Sequence, residues 1–364
     1  MTLEGKGFFI WQIRNCEGGD VDAIAEQAEK AKLTHVIVKV ADNVQSYNID
    51  AKTGKDLVVP LVKALRDRDI QVWGWQYIYG YDPIGEADKA VQRIKQFNLD
   101  GFVVNAEGEY KYPDRDRAAR HYMLRLRAAL PMLPIGLSSY RYPSFHPQLP
   151  WNEFLARCDI AMPQVYWMMN HNPGKQLERT VYEYQSLNYV RPIVPTGSAY
   201  QYGDWTPTLR DETEFIEKAI ELNLRAINFW EWGHTRKYLP HIWKLIRDYN
   251  WSFEVGQNIG QAYIDALNSH DPDKVLQLYT ENAVHVTSQR TIQGHEAIHK
   301  WYVNLFNNIL PNAVFSLNNS LGKGMIRYLS WIAQSSAGNV DFGSDTIGLE
   351  EDKIAYHYTF FIVT

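Results

Sequence analysis

The sequence predicts an α/β protein, a (β/α)₈ TIM barrel followed by a smaller α+β domain. Apolar, strand-like runs alternate with helix-period segments eight times between Lys6 and Asn250, and this count suits a barrel of about 250 residues. No GxGxxG or GxxxxGK[ST] turn follows any strand, which disfavours an open, doubly wound nucleotide-binding sheet. After Trp251 the alternation stops, and helices are followed by consecutive strands, as in an α+β domain.

The eight predicted barrel strands are rich in β-branched and aromatic residues. In chain order they are "GFFIWQIRN", "THVIVKVADN", "QVWGWQYIYG", "GFVVNAEGEY", "PIGLSSYRYP", "IAMPQVYWMMN", "RPIVPTGSAY" and "RAINFWEWGHT". The clearest helix-period segments between them are "DVDAIAEQAEKAK", "DLVVPLVKALRDRD", "EADKAVQRIKQFN", "DRAARHYMLRLRAAL" and "LRDETEFIEKAIELN". In the last segment, acidic residues fill the first turn, where they interact favourably with the helix dipole.

The segment after Trp251 begins with helices and ends with strands. "VGQNIGQAYIDALNSHDPDKVLQLYTENAVHV" predicts two helices and a strand, and "GHEAIHKWYVNLFNNIL" predicts a third helix. The strands "AVFSLNNS", "GMIRYLSWIAQSS", "DFGSDTIGLE" and "KIAYHYTFFIV" follow, with hairpin turns expected at "SAGN" and "EEDK". We therefore expect the barrel over residues 1–250 and the second domain over residues 251–364, because 364 residues exceed the usual size of one domain.

The composition is that of an ordinary soluble globular protein, with 45% hydrophobic and 22% charged residues. The formal net charge of -5 leaves no basic surplus, so we expect no nucleic-acid partner. No apolar run is long enough to span a membrane, and no signal peptide is visible in "MTLEGKGFFI". The expected location is left open between the cytoplasm and secretion after trimming of a leader.

The sequence gives no indication of a metal or another cofactor, and we expect none. Cys16 and Cys158 are too few for a disulfide scaffold, and buried free thiols are the better interpretation. No CxxC motif or Cys/His cluster has the spacing of zinc ligands. The aromatic content, with 12 Trp and 23 Tyr, is the unusual feature. Many of these residues belong in the core, but sugar-binding clefts also use flat aromatic faces.

The fourth strand, "GFVVNAEGEY", ends on acidic residues, which indicates where a site would lie. Active sites of (β/α)₈ barrels lie at the carboxyl ends of the strands. Because strand side chains alternate, Asn105, Glu107 and Glu109 share one face. Other strands also carry polar residues at alternate positions: Gln12, Arg14, Lys39, Asn43, Gln76, Ser138, Tyr140, Gln164, Tyr166 and Asn228. A polar barrel interior is costly, so we interpret this set as the floor of a ligand-binding cavity, with a structural polar network as the alternative.

Glu107 is the first candidate for catalysis, because a glutamate at the end of an inward strand face suits proton transfer. The alternative is a structural carboxylate that pairs with Lys39 or Arg14. Glu109 lies one step further out, where a solvated loop acid is equally consistent with the sequence. Glu231, in "FWEWG", is another acid at a strand end, although strand alternation turns it outward.

Three short runs in the barrel resemble glycoside hydrolases of the chitinase-like (family 18) and lysozyme-like (family 25) groups, over residues 7–250. They are "VVNAEGEY", "AMPQVYW" and "INFWEWG". The resemblance implies that Glu107 is the proton donor. It also implies that Tyr166 and Trp230 occupy the places of the families' strand-six tyrosine and strand-eight tryptophan. Asn105 replaces the preceding acid, and an amide lacks the charge that orients and stabilises a substrate acetamido group.

Residues 255–362 resemble the SnoaL-like branch of the nuclear transport factor two-like superfamily. The resemblance is carried by "AYIDALNSHDPDKVLQLYTENAVHV", "IQGHEAIHKWYVNLFNNILPNAVFSL" and "DKIAYHYTFF". It implies a curved sheet around a conical pocket, in a superfamily that includes isomerases, cyclases and non-catalytic binding or dimerisation modules. The implied pocket residues are His285, His295, Arg327, Trp331, Asp341, Asp345 and His357, and a homodimer through residues 312–362 is expected.

The functional hypothesis is a glycoside hydrolase that cleaves an oligosaccharide or cell-wall glycan, with Glu107 as general acid. The polar floor and Trp230 would bind the carbohydrate. The alternative is a non-catalytic carbohydrate-binding or scaffold protein, with a degenerate barrel and a dimerising second domain. The two differ in one feature: a two-carboxylate hydrolase needs a second acid about 5–5.5 Å away for retention or about 6.5–9.5 Å away for inversion.

Overall fold

The computed structural model describes residues 3–251, 259–321, 325–350 and 353–364. The chain forms two compact units, the first ending at Trp251 and the second holding the described residues from 259 onwards. The first unit is a closed barrel of parallel strands with helices, and the second is an α+β unit. The predicted fold class is therefore confirmed.

Eight parallel strands form the barrel. They are β1 (Gly5–Ile10), β2 (His35–Asp42), β3 (Gln71–Ile78), β4 (Gly101–Ala106), β5 (Ile135–Tyr140), β6 (Ile160–Val165), β7 (Thr196–Ser198) and β8 (Ala226–Trp230). They pair in chain order, and β1 pairs with both β2 and β8, which closes the ring. Closure leaves no strand edge exposed, so each barrel strand has one face toward the interior and one toward the helices.

Helices follow the strands around the outside. They are α1 (Val21–Lys30), α2 (Val58–Arg66), α3 (Pro83–Phe97), α4 (Arg115–Ala129), α5 (Trp151–Leu155), α6 (Pro173–Gln185), α7 (Leu209–Glu221), α8 (Trp232–Tyr238) and α9 (Pro240–Asp248). Local chemistry sets some of their ends. Asp20 accepts hydrogen bonds from the N–H groups of Asp22 and Ala23 at the start of α1, and Asp82 caps α3, whose first residue is Pro83.

The middle of the barrel interior is apolar. Ile37, Trp73, Val103 and Met162 are buried in one core cluster. Trp73 fits against β4 because residue 101 is glycine, where a Cβ atom would lie 2.4 Å from the Trp73 ring. Polar side chains inside the barrel therefore lie near the ends of the strands, on either side of this apolar layer.

The second unit has a six-stranded sheet packed with helices. Its elements are α10 (Ile259–Asn268), α11 (Pro272–Leu276), β9 (Tyr279–Val286), β10 (Thr291–Gln293), α12 (His295–Asn304), β11 (Val314–Leu321), β12 (Ile326–Ser335), β13 (Gly338–Glu350) and β14 (Lys353–Phe361). The strand order is β10-β9-β14-β13-β12-β11, and only the β9–β14 pair is parallel. The turn in "SAGN" joins β12 to β13, whereas the middle of "EEDK" lies outside the described residues.

Both cysteines are buried free thiols. Burial raises the pKa of Cys16 and raises that of Cys158 to about 12, so both stay protonated at neutral pH. The described residues include no group of three or more His, Cys, Asp or Glu side chains that could hold a metal ion. Within the same residues, no helix is long and apolar enough to cross a membrane.

His35 is a buried histidine at the amino end of β2. Its Nε2 atom lies 2.6 Å from Asn228 Oδ1, and its Nδ1 atom lies 2.8 Å from Thr34 Oγ1. The ring fills the space beside Gly7, where a Cβ atom would lie 2.2 Å from His35 Nε2. Burial lowers the pKa of His35 from 6.5 to about 4, because a charged imidazole loses its hydration there.

This histidine should make the barrel sensitive to acid. Since its folded-state pKa lies below the unfolded value, its contribution is complete above pH 6.5 and is lost as the pH falls toward 4. The expected loss is about 3 kcal/mol of unfolding free energy. We expect calorimetry between pH 7 and pH 4 to show a steeper fall in melting temperature for the wild type than for His35→Gln. Parallel curves would contradict this role.

Candidate functional site

A cavity of about 540 Å³ opens at the carboxyl ends of the barrel strands. It is lined by Phe9, Trp11, Lys39, Trp75, Tyr77, Asn105, Glu107, Ser138, Tyr140, Arg141, Tyr142, Phe145, His146, Gln164, Tyr166, Met168 and Trp230. Each strand except β7 contributes a lining residue. The walls are mainly aromatic and carry a few polar groups, which is the usual character of a site for a small organic ligand.

Strand alternation explains how these side chains come together. Asn105 and Glu107 are two residues apart at the end of β4, as are Gln164 and Tyr166 at the end of β6. The cavity contains eight residues of the sequence-based site: Lys39, Asn105, Glu107, Ser138, Tyr140, Gln164, Tyr166 and Trp230. Four different strands thus place polar groups around Glu107.

The carboxylate of Glu107 is held by two amide groups. Asn105 Nδ2 donates to Glu107 Oε1 at 2.9 Å, and Gln164 Nε2 donates to the same oxygen at 2.7 Å. Both amides also contact Ser138, the first at the carbonyl oxygen and the second at Oγ, each at 3.3 Å. No described side chain hydrogen-bonds Glu107 Oε2, so this oxygen is available to a ligand.

The two cations considered as structural partners of Glu107 bind elsewhere. Lys39 Nζ lies 3.4 Å from Asp42 Oδ1. Arg14 donates to Gln12 Oε1, with nitrogen–oxygen distances of 3.3 and 3.4 Å. Glu107 is therefore held by neutral hydrogen-bond donors, and the structural ion pair expected as the alternative does not form.

Lys39 forms a buried, charged part of the cavity wall. Its Nζ atom lies 4.4 Å from the ring centroid of Tyr47 and 4.8 Å from that of Trp75. Burial lowers the pKa of Lys39, while the charge of Asp42 opposes this shift. Aromatic faces attract a cation, so the two rings fix the position of the ammonium group.

Tyr140 forms another part of the wall. His146 stacks on its ring with a centroid distance of 3.7 Å, and Lys111 Nζ lies 4.1 Å from the ring centroid. Burial, with a smaller contribution from Glu107, raises the pKa of Tyr140 to about 12. Burial, followed by the charges of Lys111 and Arg141, lowers the pKa of His146. At neutral pH, the cavity therefore offers a protonated phenol and a neutral imidazole as hydrogen-bonding groups.

Glu109 does not line the cavity. It lies in the short turn Gly108–Lys111, and its Oε2 atom accepts a hydrogen bond from Tyr77 OH at 2.6 Å. Burial, followed by this hydrogen bond, raises the pKa of Tyr77 well above its ordinary value. Because Tyr77 is a lining residue, Glu109 positions part of the wall through this hydrogen bond.

Glu231 also lies outside the lining, where it caps a helix. Its two carboxylate oxygens accept hydrogen bonds from the first turn of α8, from Gly233 N at 3.2 Å and His234 N at 2.6 Å. Burial raises the pKa of Glu231. Both oxygens of this candidate second carboxylate are therefore already hydrogen-bonded to the backbone of α8.

Gln12 and Arg14, which the sequence predicts as carbohydrate-binding residues, do not line the cavity. Strand β1 ends at Ile10, and the chain turns immediately afterwards. The alternate positions Phe9 and Trp11 line the cavity instead. The sequence predicts one long strand because Trp11 and Ile13 continue the alternation of apolar and polar residues beyond Ile10, the last paired residue.

Gln76 and Asn228 also fail to reach the cavity. Gln76 Nε2 donates to the carbonyl oxygens of Asn43 and Glu86, and its Oε1 atom accepts from Tyr122 OH. It therefore lies on the helix-facing side of β3. Asn228 Oδ1 contacts the buried His35, which puts it deeper in the barrel than the cavity.

Several lining residues come from the loop after β5, which sequence reasoning missed. They are Arg141, Tyr142, Phe145 and His146. Loop side chains have no strand alternation to reveal their direction. The signal that could have found them is the density of aromatic residues in "YRYPSFH" at the carboxyl end of a barrel strand.

The second unit has a polar cluster in its interior. Four of its implied pocket residues, His285, Trp331, Asp345 and His357, are buried. Trp331 Nε1 donates to Asp345 Oδ2 at 2.9 Å, and His357 Nε2 lies 3.5 Å from Asp345 Oδ1. The other three, His295, Arg327 and Asp341, are partly or fully exposed. The cluster therefore belongs to the core of this unit.

Residues 261–359 match the family model of the SnoaL-like domain. The second domain is a SnoaL-like domain. Similar solved structures are an NTF2-like protein of unknown function from Cytophaga hutchinsonii, a SnoaL-like protein of unknown function from Burkholderia thailandensis and an LEH-like epoxide hydrolase from M. tuberculosis. No curated protein sequence matches the chain.

Each of these three structures matches only a small part of this chain. The identities are 14%, 14% and 12%, and each match covers 29% of this chain. The matches cover 89%, 93% and 82% of the other chains, with TM-scores of 0.25, 0.26 and 0.26.

The different surroundings of the two glutamates predict different responses to the same change. In Glu107→Gln, the amide oxygen can still accept both hydrogen bonds that Oε1 accepts. In Glu231→Gln, an NH₂ group replaces one of two oxygens that accept backbone N–H groups. We expect Glu107→Gln to change the unfolding free energy by less than about 0.5 kcal/mol and Glu231→Gln to lower it by about 1 kcal/mol.

Denaturant unfolding of the two variants checks this contrast. The contrast is contradicted if Glu107→Gln loses as much stability as Glu231→Gln. Glu107 would then have a structural role beyond its hydrogen bonds with Asn105 and Gln164.

Proposed function

We propose that the barrel binds a carbohydrate in the cavity at its carboxyl end. The observation that carries the proposal is a single carboxylate, Glu107, set among aromatic walls and amide groups. Aromatic faces pack against the C–H faces of sugar rings, and amides, hydroxyls and a carboxylate hydrogen-bond the sugar hydroxyls. Trp11, Trp230 and Tyr140 supply such faces in the lining.

Hydrolysis by two enzyme carboxylates has little support in this cavity. Among the lining residues, all within the described chain, Glu107 is the only carboxylate. Glu109 accepts a hydrogen bond from Tyr77, and Glu231 caps α8. Both the retaining and the inverting two-carboxylate mechanisms need a second acid facing the bond that breaks. This is why we place binding ahead of hydrolysis.

A second candidate function is hydrolysis with one enzyme acid, and it is favoured by the residues that line the cavity beside Glu107. Tyr166 and Asn105 line the same cavity, and burial raises the pKa of Tyr166, so its hydroxyl stays a hydrogen-bond donor. In this reaction, the acetamido oxygen of an N-acetylhexosamine attacks C1 while Glu107 protonates the departing glycosidic oxygen. Water then attacks C1, the bond between C1 and the acetamido oxygen breaks, and Glu107 accepts a proton from this water.

Binding can be tested through an exposed lining residue. Trp11 lines the cavity and is 43% exposed, so Trp11→Ala should fold normally. We expect a glycan found by array screening to bind this variant about tenfold more weakly in calorimetric titration. The matched control is Tyr238→Ala, which removes an exposed aromatic residue of α8 outside the lining. Equal affinities for wild type and Trp11→Ala would contradict the proposed cleft.

Glu107→Gln separates binding from hydrolysis. The amide oxygen can still accept the hydrogen bonds from Asn105 and Gln164, so affinity for the glycan should be retained. The amide cannot act as a general acid. If the barrel hydrolyses the glycan, turnover of that glycan should fall by about 10²–10⁴-fold. Product formation is followed by chromatography of labelled oligosaccharides. Unchanged turnover in the variant would remove Glu107 as the acid, and absence of turnover in the wild type would leave binding as the function.

We also propose that the second domain forms a homodimer through its sheet. The outer face exposes the aromatic residues Tyr328, Tyr356, Tyr358 and Phe360 on β12 and β14. A contiguous apolar patch on a sheet face favours association. We expect light scattering at micromolar concentration to give twice the chain mass, and Tyr358→Lys together with Phe360→Lys to give the monomer mass. A monomeric wild type would contradict the proposal.

A further inference from the structure

The aromatic surface of the cavity continues outward along β3 and the loop that follows. Tyr77 lines the cavity, and the ring centroids of Tyr77 and Tyr79 are 5.0 Å apart. Tyr79 and Tyr81 are stacked at 6.3 Å with 24° between their planes. Tyr81 is 65% exposed, so the row of rings runs from the cavity into solvent.

The backbone that carries these rings is held rigidly. The buried carboxylate of Glu86 accepts hydrogen bonds from Tyr79 N at 2.7 Å and Gly80 N at 3.0 Å. Gly80 has a φ of +71°, and a Cβ atom there would lie 2.9 Å from the Tyr110 ring. Position 80 therefore requires glycine, both for its left-handed backbone conformation and for its close approach to the Tyr110 ring.

An arginine fixes the outermost ring. Arg115 donates to the carbonyl oxygens of Gly80 and Glu109, the latter at 3.3 Å. Its guanidinium carbon lies 4.5 Å from the ring centroid of Tyr81. An exposed ring held in this way loses little conformational freedom when a ligand packs on it, which favours binding.

A second aromatic extension follows β5. Tyr142 and Phe145 both line the cavity, and their ring centroids are 5.5 Å apart. Phe145 is 62% exposed, and Arg179 lies 4.5 Å from its ring centroid. Strands β3 and β5 are the two neighbours of β4, which leads to Glu107. The two extensions therefore flank Glu107.

We propose that the ligand is a polysaccharide chain that lies across the mouth of the barrel and is bound along its interior. Tyr81, beyond the lining, and Phe145, an exposed residue of the lining, provide platforms for sugar units on either side of Glu107. This inference rests on the proposed carbohydrate function and specifies its substrate class. A site for a monosaccharide would not need exposed rings on both sides of Glu107, one in the lining at Phe145 and one beyond it at Tyr81.

Chain length is the variable that tests this inference. The probes are β-1,4-linked N-acetylglucosamine oligomers of two and six units, and cello-oligosaccharides of the same lengths, in calorimetric titration of the full chain. We expect the longer member of at least one series to bind about tenfold more tightly than the shorter. Tyr81→Ala and Phe145→Ala should each remove most of that gain, and Tyr81→Ala should leave the affinity for two units unchanged.

The control is Tyr182→Ala, because Tyr182 is 71% exposed on α6 and lies outside the lining. It should bind both lengths as the wild type does. Equal affinity for two and six units, or equal loss at both lengths in Tyr81→Ala, would overturn the chain inference and leave the carbohydrate site intact. Failure of both series to bind the wild type would count against the carbohydrate function and this inference together.

Discussion

The closure of eight parallel strands into a ring is the constraint on which the candidate site depends. Once β1 pairs with both β2 and β8, every strand has an inner and an outer face, and its side chains must alternate between them. Asn105, Glu107 and Gln164 meet at one point because their strands end at the same edge of the barrel. The apolar layer below them supports this group without competing for its hydrogen bonds.

Most of the fold and part of the site follow from the sequence. The strand–helix alternation defines the barrel, and the acids after Val104 mark the end of β4. Two site residues were placed wrongly because strand alternation alone does not give the inner face of a strand or the depth of a side chain in the barrel. Alternation does not say which face of β3 is the inner one: Trp75 and Tyr77 line the cavity, so Gln76 between them points toward the helices. Parity also says nothing about depth, which is why Asn228 faces inward yet never reaches the cavity.

The partners of Glu107 could not be read from the sequence either. Lys39 and Arg14 were the obvious cations, yet Lys39 lies between aromatic rings beside Asp42, and Arg14 is in a turn. Two amides take their place. Glu107 is thus oriented by hydrogen bonds to neutral amides, and one of its oxygens carries both of these bonds.

The sealed polar cluster of the second domain has a consequence for the exchange of labile protons. Tyr279 and Tyr302 extend this cluster, because Tyr279 OH hydrogen-bonds to both Tyr302 OH and His357 Nδ1, and all three residues are fully buried. Since these residues are fully buried, opening of the domain exposes their side-chain protons to exchange with water. The rate at which deuterium enters this cluster therefore reports how often the SnoaL-like fold opens.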